Sequence, residues 1–288
     1  MRLLSILLFF ILFSFSFAQI KITATIKPLA DIAKEIVREK GTVKYIIPPN
    51  VSIHFYEYKI SDIKAIYDSD IFVFIGIGEP NIKNLEKNAT KEKINVSQLK
   101  ELHKIKHFEF EEHHHKHENH NEEIHPAVWL DPYNGKIIAK AIYEKLISLD
   151  PENKDFYKKN LDIFIQKVDK VFAYGKEKFS QLEKKYFISY HYTWPYFVKA
   201  FNLIYLDVVE LGHGREPTPK HLIELIKKIK KYKIKSLFAA KQFYNPKYGE
   251  LIKAQTNINI VFLDPFGEDK DYIQMLKFNI DKVFENLK

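Results

Sequence analysis

Two sets of four short apolar runs, separated by one long amphipathic stretch, constrain this chain more than any other feature. The first set is Ile22–Ile26, Val43–Ile47, Ile71–Ile75 and Lys93–Val96. The second is Tyr186–Tyr190, Ile204–Val209, Ser236–Ala239 and Asn259–Leu263. Short runs rich in β-branched and aromatic residues have the length and composition of buried strands. Helical patterns lie between them, among them Pro28–Glu39, Ser61–Asp68, Trp194–Phe201 and Pro219–Lys231. Alternation of strand and helix predicts parallel sheets covered by helices, an α/β architecture. Four strands followed by four strands predict two similar lobes.

The stretch between the sets predicts what joins them. From Pro151 to Lys185, apolar residues fall at Tyr157, Leu161, Phe164, Val168, Val171, Phe179 and Leu182. Steps of three and four place them on one face of a helix, and Asp150-Pro151-Glu152 is a start signal. About 33 residues at 1.5 Å each give roughly 50 Å, enough to run the length of a two-lobed protein. Gly175 inside the pattern weakens the expectation. The expected organisation is a signal segment at 1–18, a first α/β lobe at 19–150, a linking helix at 151–185 and a second α/β lobe at 186–288.

The chain opens MRLLSILLFFILFSFSFAQ, with one Arg before an apolar run from Leu3 to Phe17 and with Ser16 and Ala18 at the positions a signal peptidase reads. The run is short of the roughly 20 residues that span a bilayer, so it reads as a cleaved secretory signal, with Gln19 as the mature start and a periplasm as the compartment. The chain has no cysteine, which excludes disulfides and thiolate metal sites. Its net charge of +8 comes from Lys scattered among Glu and Asp, so it points to solubility and not to nucleic-acid binding.

Eight of the twelve histidines fall between His103 and His125. The tract His113, His114, His115, His117 and His120 is polar enough to lack a fixed fold, and imidazole is the commonest metal ligand. A tract without fixed geometry binds loosely, so a selective site belongs on the rigid scaffold. In open parallel sheets, ligands bind beyond the carboxyl ends of strands. Three candidate ligands stand there: His54 in the loop after Val43–Ile47, His191 after Tyr186–Tyr190 and Asp264 after Asn259–Leu263. Imidazole and carboxylate suit Zn2+, and also Mn2+ or Fe2+.

At these residues the chain resembles the zinc/manganese-type substrate-binding proteins of ABC importers. The blocks ATIKPLADIA, PPNVSIHFYEYKISDIKAI, WLDPYNGKIIAKAIYEKLISLDPENKDFYKKNL, REPTPKHLIELI and FLDPFGE carry the resemblance, in order, over nearly the whole mature chain. It implies two α/β lobes joined by one long helix, a metal between them, and His54, His191 and Asp264 as ligands. Zinc-handling members of such a family often carry a His-rich loop in the first lobe. One position departs: the family His two residues before the Trp of WLDP is Ala127 here, with His125 the nearest imidazole. Three protein ligands plus water, His125 or the His tract are the ways to complete the site. Glu216 matches a family motif and reads as interlobe or transporter-facing polar structure, not as a ligand.

The resulting expectation is a monomeric periplasmic protein, not an enzyme, that binds a divalent metal, foremost zinc, and delivers it to an ABC permease, with the His-rich loop at 103–125 as accessory. A zinc metalloenzyme is the first alternative, since three ligands and an open position also describe catalytic zinc. The chain has no HExxH helix, nucleophile elbow or phosphate loop to support it. A metal buffer or adhesion protein without a transport role is the second.

Overall fold

The computed structural model describes residues 19–89, 91–106, 124–210 and 216–288. The expected signal segment at 1–18 lies outside them. The first half runs β1 (Ile20–Ile26), α1 (Lys27–Val37), β2 (Gly41–Ile47), α2 (Ile60–Tyr67), β3 (Ile71–Phe74), α3 (Ile82–Asn88), β4 (Glu92–Asn95) and α4 (Pro132–Leu149). After the linking helix α5 (Lys154–Ser180) come β5 (Tyr186–Ser189), α6 (Pro195–Ala200), β6 (Ile204–Val208), α7 (Pro219–Tyr232), β7 (Ser236–Ala240), α8 (Pro246–Thr256), β8 (Asn259–Leu263) and α9 (Tyr272–Leu287).

The strands form two four-stranded sheets, ordered β2-β1-β3-β4 and β6-β5-β7-β8, with every pairing parallel. The two lobes therefore repeat one topology. In each, the strand order reverses beside the first strand, which opens a crevice at the carboxyl ends. Strands β3 and β7 are buried along their whole length, as sheets covered on both faces require.

α5 spans 27 residues, about 40 Å, so it is shorter than the expected 33. The periodicity overran the helix because Leu182, beyond its end, is also buried. Gly175 is where α5 meets the second lobe. A Cβ there would lie 2.4 Å from Cε1 of Phe201 and 2.9 Å from Cδ1 of Ile280, so the missing side chain lets these groups approach. α9 then returns to pack on α5 and α1.

One large apolar core runs through both lobes, from Ile22 and Phe72 through Trp129, Phe164 and Tyr272 to Phe238. A smaller one, with Leu225, Ile229 and Leu237, fills the outer face of the second sheet. Trp129 ties the lobes directly: its Nε1 donates to the Pro265 carbonyl at 2.7 Å, and its own carbonyl accepts from the Tyr272 hydroxyl at 2.8 Å.

Candidate metal centre

Both sheets present their carboxyl ends to the same crevice. After β2 the chain passes through Pro48 and Pro49 into a single helical turn, Ile53–Phe55, that carries His54. The Nδ1 of His54 lies 3.0 Å from the Gly78 carbonyl. A carbonyl can only accept, so Nδ1 carries the hydrogen and the ring lone pair sits on Nε2. Gly78 adopts φ +70, a left-handed conformation that favours glycine, and a Cβ there would come within 3.0 Å of Pro126.

The loop holding Gly78 is anchored by Glu79. Its buried carboxylate accepts the Ile75 N–H at 3.2 Å and the Gly76 N–H at 2.9 Å. These bonds also end β3 one residue earlier than the apolar run suggests. Burial pushes the Glu79 carboxyl up to about 7, against the lowering effect of its hydrogen bonds.

His191 follows β5 in the second lobe. Its Nδ1 lies 2.9 Å from Oε2 of Glu210, which follows the neighbouring strand β6, and both side chains are about nine-tenths buried. An ionised carboxylate is likewise acceptor only, so the neutral form of this ring carries its lone pair on Nε2. A carboxylate behind a metal-binding imidazole orients the ring and raises its basicity. Phe243, in the turn after β7, stacks on His191 with centroids 4.3 Å apart and planes at 20°.

The imidazoles of His54 and His191, one from each lobe, have ring centroids 6.1 Å apart. Two imidazoles on one tetrahedral zinc, at about 2.0–2.1 Å per nitrogen, would have centroids about 5 Å apart. The observed pair is about 1 Å wider, within reach of a small closure. An open cavity of about 720 Å³, lined by His54, Phe55, Tyr58, Pro80 and Asn84, adjoins the His54 side.

The other sequence candidates are placed differently. Asp264 is buried after β8, and its carboxylate accepts the N–H groups of Phe266 (3.1 Å), Gly267 (2.7 Å) and Glu268 (3.0 Å), with the Lys270 ammonium 3.8 Å away. It caps its own loop, while Asn279 brackets its backbone. Among the described residues, no three His, Cys, Asp or Glu side chains converge to hold an ion. His125 is buried with both ring nitrogens engaged: Nε2 donates to the Tyr192 carbonyl at 2.7 Å, and Nδ1 accepts from the Ala127 N–H at 3.3 Å. It joins the segment before α4 to the loop that carries His191. His113, His114, His115, His117 and His120 lie outside the described residues. Glu216 accepts from the Tyr248 hydroxyl and stands 3.9 Å from Lys247, a polar surface contact.

Sequence reasoning did not find Glu210, Glu79 or Phe243. The rule that found His191 and Asp264, a functional group directly after a strand, reaches Glu210 after β6, but it gives no role to that carboxylate without the imidazole it faces, and Phe243, three residues past β7, falls outside it.

Residues 22–286 match the family model described as zinc-uptake complex component A, periplasmic. The manganese ABC transporter substrate-binding lipoprotein of Streptococcus anginosus is 31% identical, over 93% of this chain and 89% of its own length. The metal ABC transporter substrate-binding lipoprotein SsaB of Streptococcus sanguinis is 30% identical, over 94% of this chain and 90% of its own. Among solved structures, a crystal structure of ZnuA superposes with a TM-score of 0.81 at 25% identity, covering 94% of this chain and all of that one.

Proposed function

The chain belongs to the zinc-uptake component A family of metal-binding ABC transporter components, and from that premise we propose that it captures Zn2+ outside the cytoplasm and delivers it to a membrane permease. It is a substrate-binding protein and not an enzyme. The observation that carries the zinc reading is the pair His54 and His191, facing each other from two lobes with both Nδ1 atoms committed to acceptors. Nitrogen ligands of this kind suit zinc better than they suit harder ions. In this reading the two Nε2 atoms bind the ion, Glu210 holds His191 in register, and Asp264 supplies an oxygen by releasing part of its loop. The His tract from 113 to 120 raises local metal concentration without forming the tight site. The apolar leader of residues 1–18 directs export and is cleaved. Among the described residues, no helix is long and apolar enough to cross a membrane.

Manganese is the second reading. It is favoured by the curated relatives named as manganese transporters and by Ala127, which withholds a third imidazole. Zinc outcompetes manganese at most nitrogen and oxygen sites whatever the physiological cargo, so affinity alone does not separate the two. The deciding experiment is growth of a strain deleted for this gene, under zinc or manganese limitation, complemented by wild type, His54→Ala or His191→Ala. Rescue by wild type alone, under zinc limitation alone, supports the proposal. Rescue confined to manganese limitation replaces it, and rescue by the His variants removes the assigned site.

A further inference from the structure

Phe243 touches the imidazoles of both lobes. Its ring lies 4.3 Å from that of His191 and 6.1 Å from that of His54, centroid to centroid. The turn that carries it, Lys241–Phe243, is tied on two sides. Gln242 donates from Nε2 across the crevice to the carbonyl of Pro49, in the loop leading to His54. Lys241 pairs with Glu268 at 2.9 Å, in the loop after Asp264. The benzene ring is therefore held in place over the imidazole pair although it is only half-buried.

An ion on Nε2 of His191 lies in the plane of that ring, about 3 Å from its centre at ordinary metal–nitrogen distances. A ring stacked above the imidazole then has its face about 5 Å from the ion. Manganese characteristically takes six ligands, so beside two imidazoles it needs four more, mostly oxygen. Zinc completes a tetrahedron with two. An apolar face on one side leaves a bound water there without a hydrogen-bond partner. We propose that Phe243 is a selectivity residue, whose ring limits the waters an ion held by His54 and His191 can keep and so favours a four-coordinate ion over a six-coordinate one. The inference rests on the reading of that pair as the metal site and adds what chooses among metals.

The test uses the full mature chain with Co2+ as spectroscopic probe, and Zn2+ and Mn2+ in competitive titration. Wild type should give the intense visible bands of four-coordinate Co2+. Phe243→Ala should shift them to the weak bands of six-coordinate Co2+ and lower the ratio of the manganese Kd to the zinc Kd about tenfold, the scale of one well-placed water. Phe243→Leu, which keeps apolar bulk, should stay with wild type and so separates exclusion of water from any disturbance of the turn. Six-coordinate Co2+ in wild type, or an unchanged spectrum and ratio in Phe243→Ala, would overturn the proposal. His54→Ala and His191→Ala run in the same titration keep the two readings apart. If they bind all three ions as tightly as wild type, the site itself is elsewhere and this inference falls with it. If they lose binding while Phe243→Ala leaves the ratio alone, only the selectivity role falls.

Discussion

At the scale of the residue, environment separates histidines that look alike in the sequence. His54 and His191 each turn Nδ1 to an acceptor beside the crevice, whereas His125 uses both nitrogens to join two segments. His125→Ala should therefore act on stability. It takes this donor from the partly buried carbonyl of Tyr192, a loss of about 0.5–1.5 kcal/mol. Thermal unfolding of the metal-free protein should show that loss, and zinc titration should still find one tight ion; failure of the variant to bind zinc would return His125 to the ligand set. Glu79 carries a pH signature. Its carboxyl sits at about 7 in the fold against the usual 4.5. Between those values the fold holds a proton that the unfolded chain has released, so this group's contribution to stability declines as pH rises, by about 3 kcal/mol in all. Urea midpoints should show wild type losing ground to Glu79→Gln from about pH 4.5 to about pH 8, and parallel profiles would mean that Glu79 is ionised throughout.

At the scale of the element, the strands and the linking helix were legible because each has an apolar period of its own. The short apolar runs of the strands and the stripe from Tyr157 to Phe179 need no knowledge of what packs on them. What Gly175 does was not legible, because its reason lies just past α6, at Phe201, and on α9, at Ile280. Gly to Ala inside a helix ordinarily stabilises by about 0.5–1 kcal/mol. Here the new methyl would stand 2.4 Å from Phe201 and 2.9 Å from Ile280, and overpacking of a core costs about 1–3 kcal/mol. The clash should win, so Gly175→Ala should lower the melting temperature; a rise would show that both neighbours yield freely. The candidate site divides in the same way. His54 and His191 announce themselves by type and by place after a strand. Glu210 and Phe243 are ordinary residue types that gain meaning only from the neighbour across the sheet, as β6 lies beside β5 and β7 on its other side.

At the scale of the whole molecule, the two lobes share one core. Besides the bonds of Trp129, the Ile105 N–H donates to the Tyr196 hydroxyl at 3.1 Å, and Asn160 of α5 donates to the Ile36 carbonyl of α1 at 3.0 Å. Residues this far apart in sequence unfold together when their apolar contacts are common to both lobes. Urea unfolding followed by far-ultraviolet circular dichroism and by tryptophan fluorescence should give coincident curves; two resolved steps would show that the lobes hold independent cores. The shared core also bears on time. Domains ordinarily fold in turn as they are synthesised, the N-terminal one first. Here the carbonyl of Trp129 is bonded by Tyr272, and α1 and α5 are packed by α9, which is made after both lobes' strands. The first lobe reaches its final packing only after α9 has emerged, so the order in which this chain is made is not the order in which it is finished.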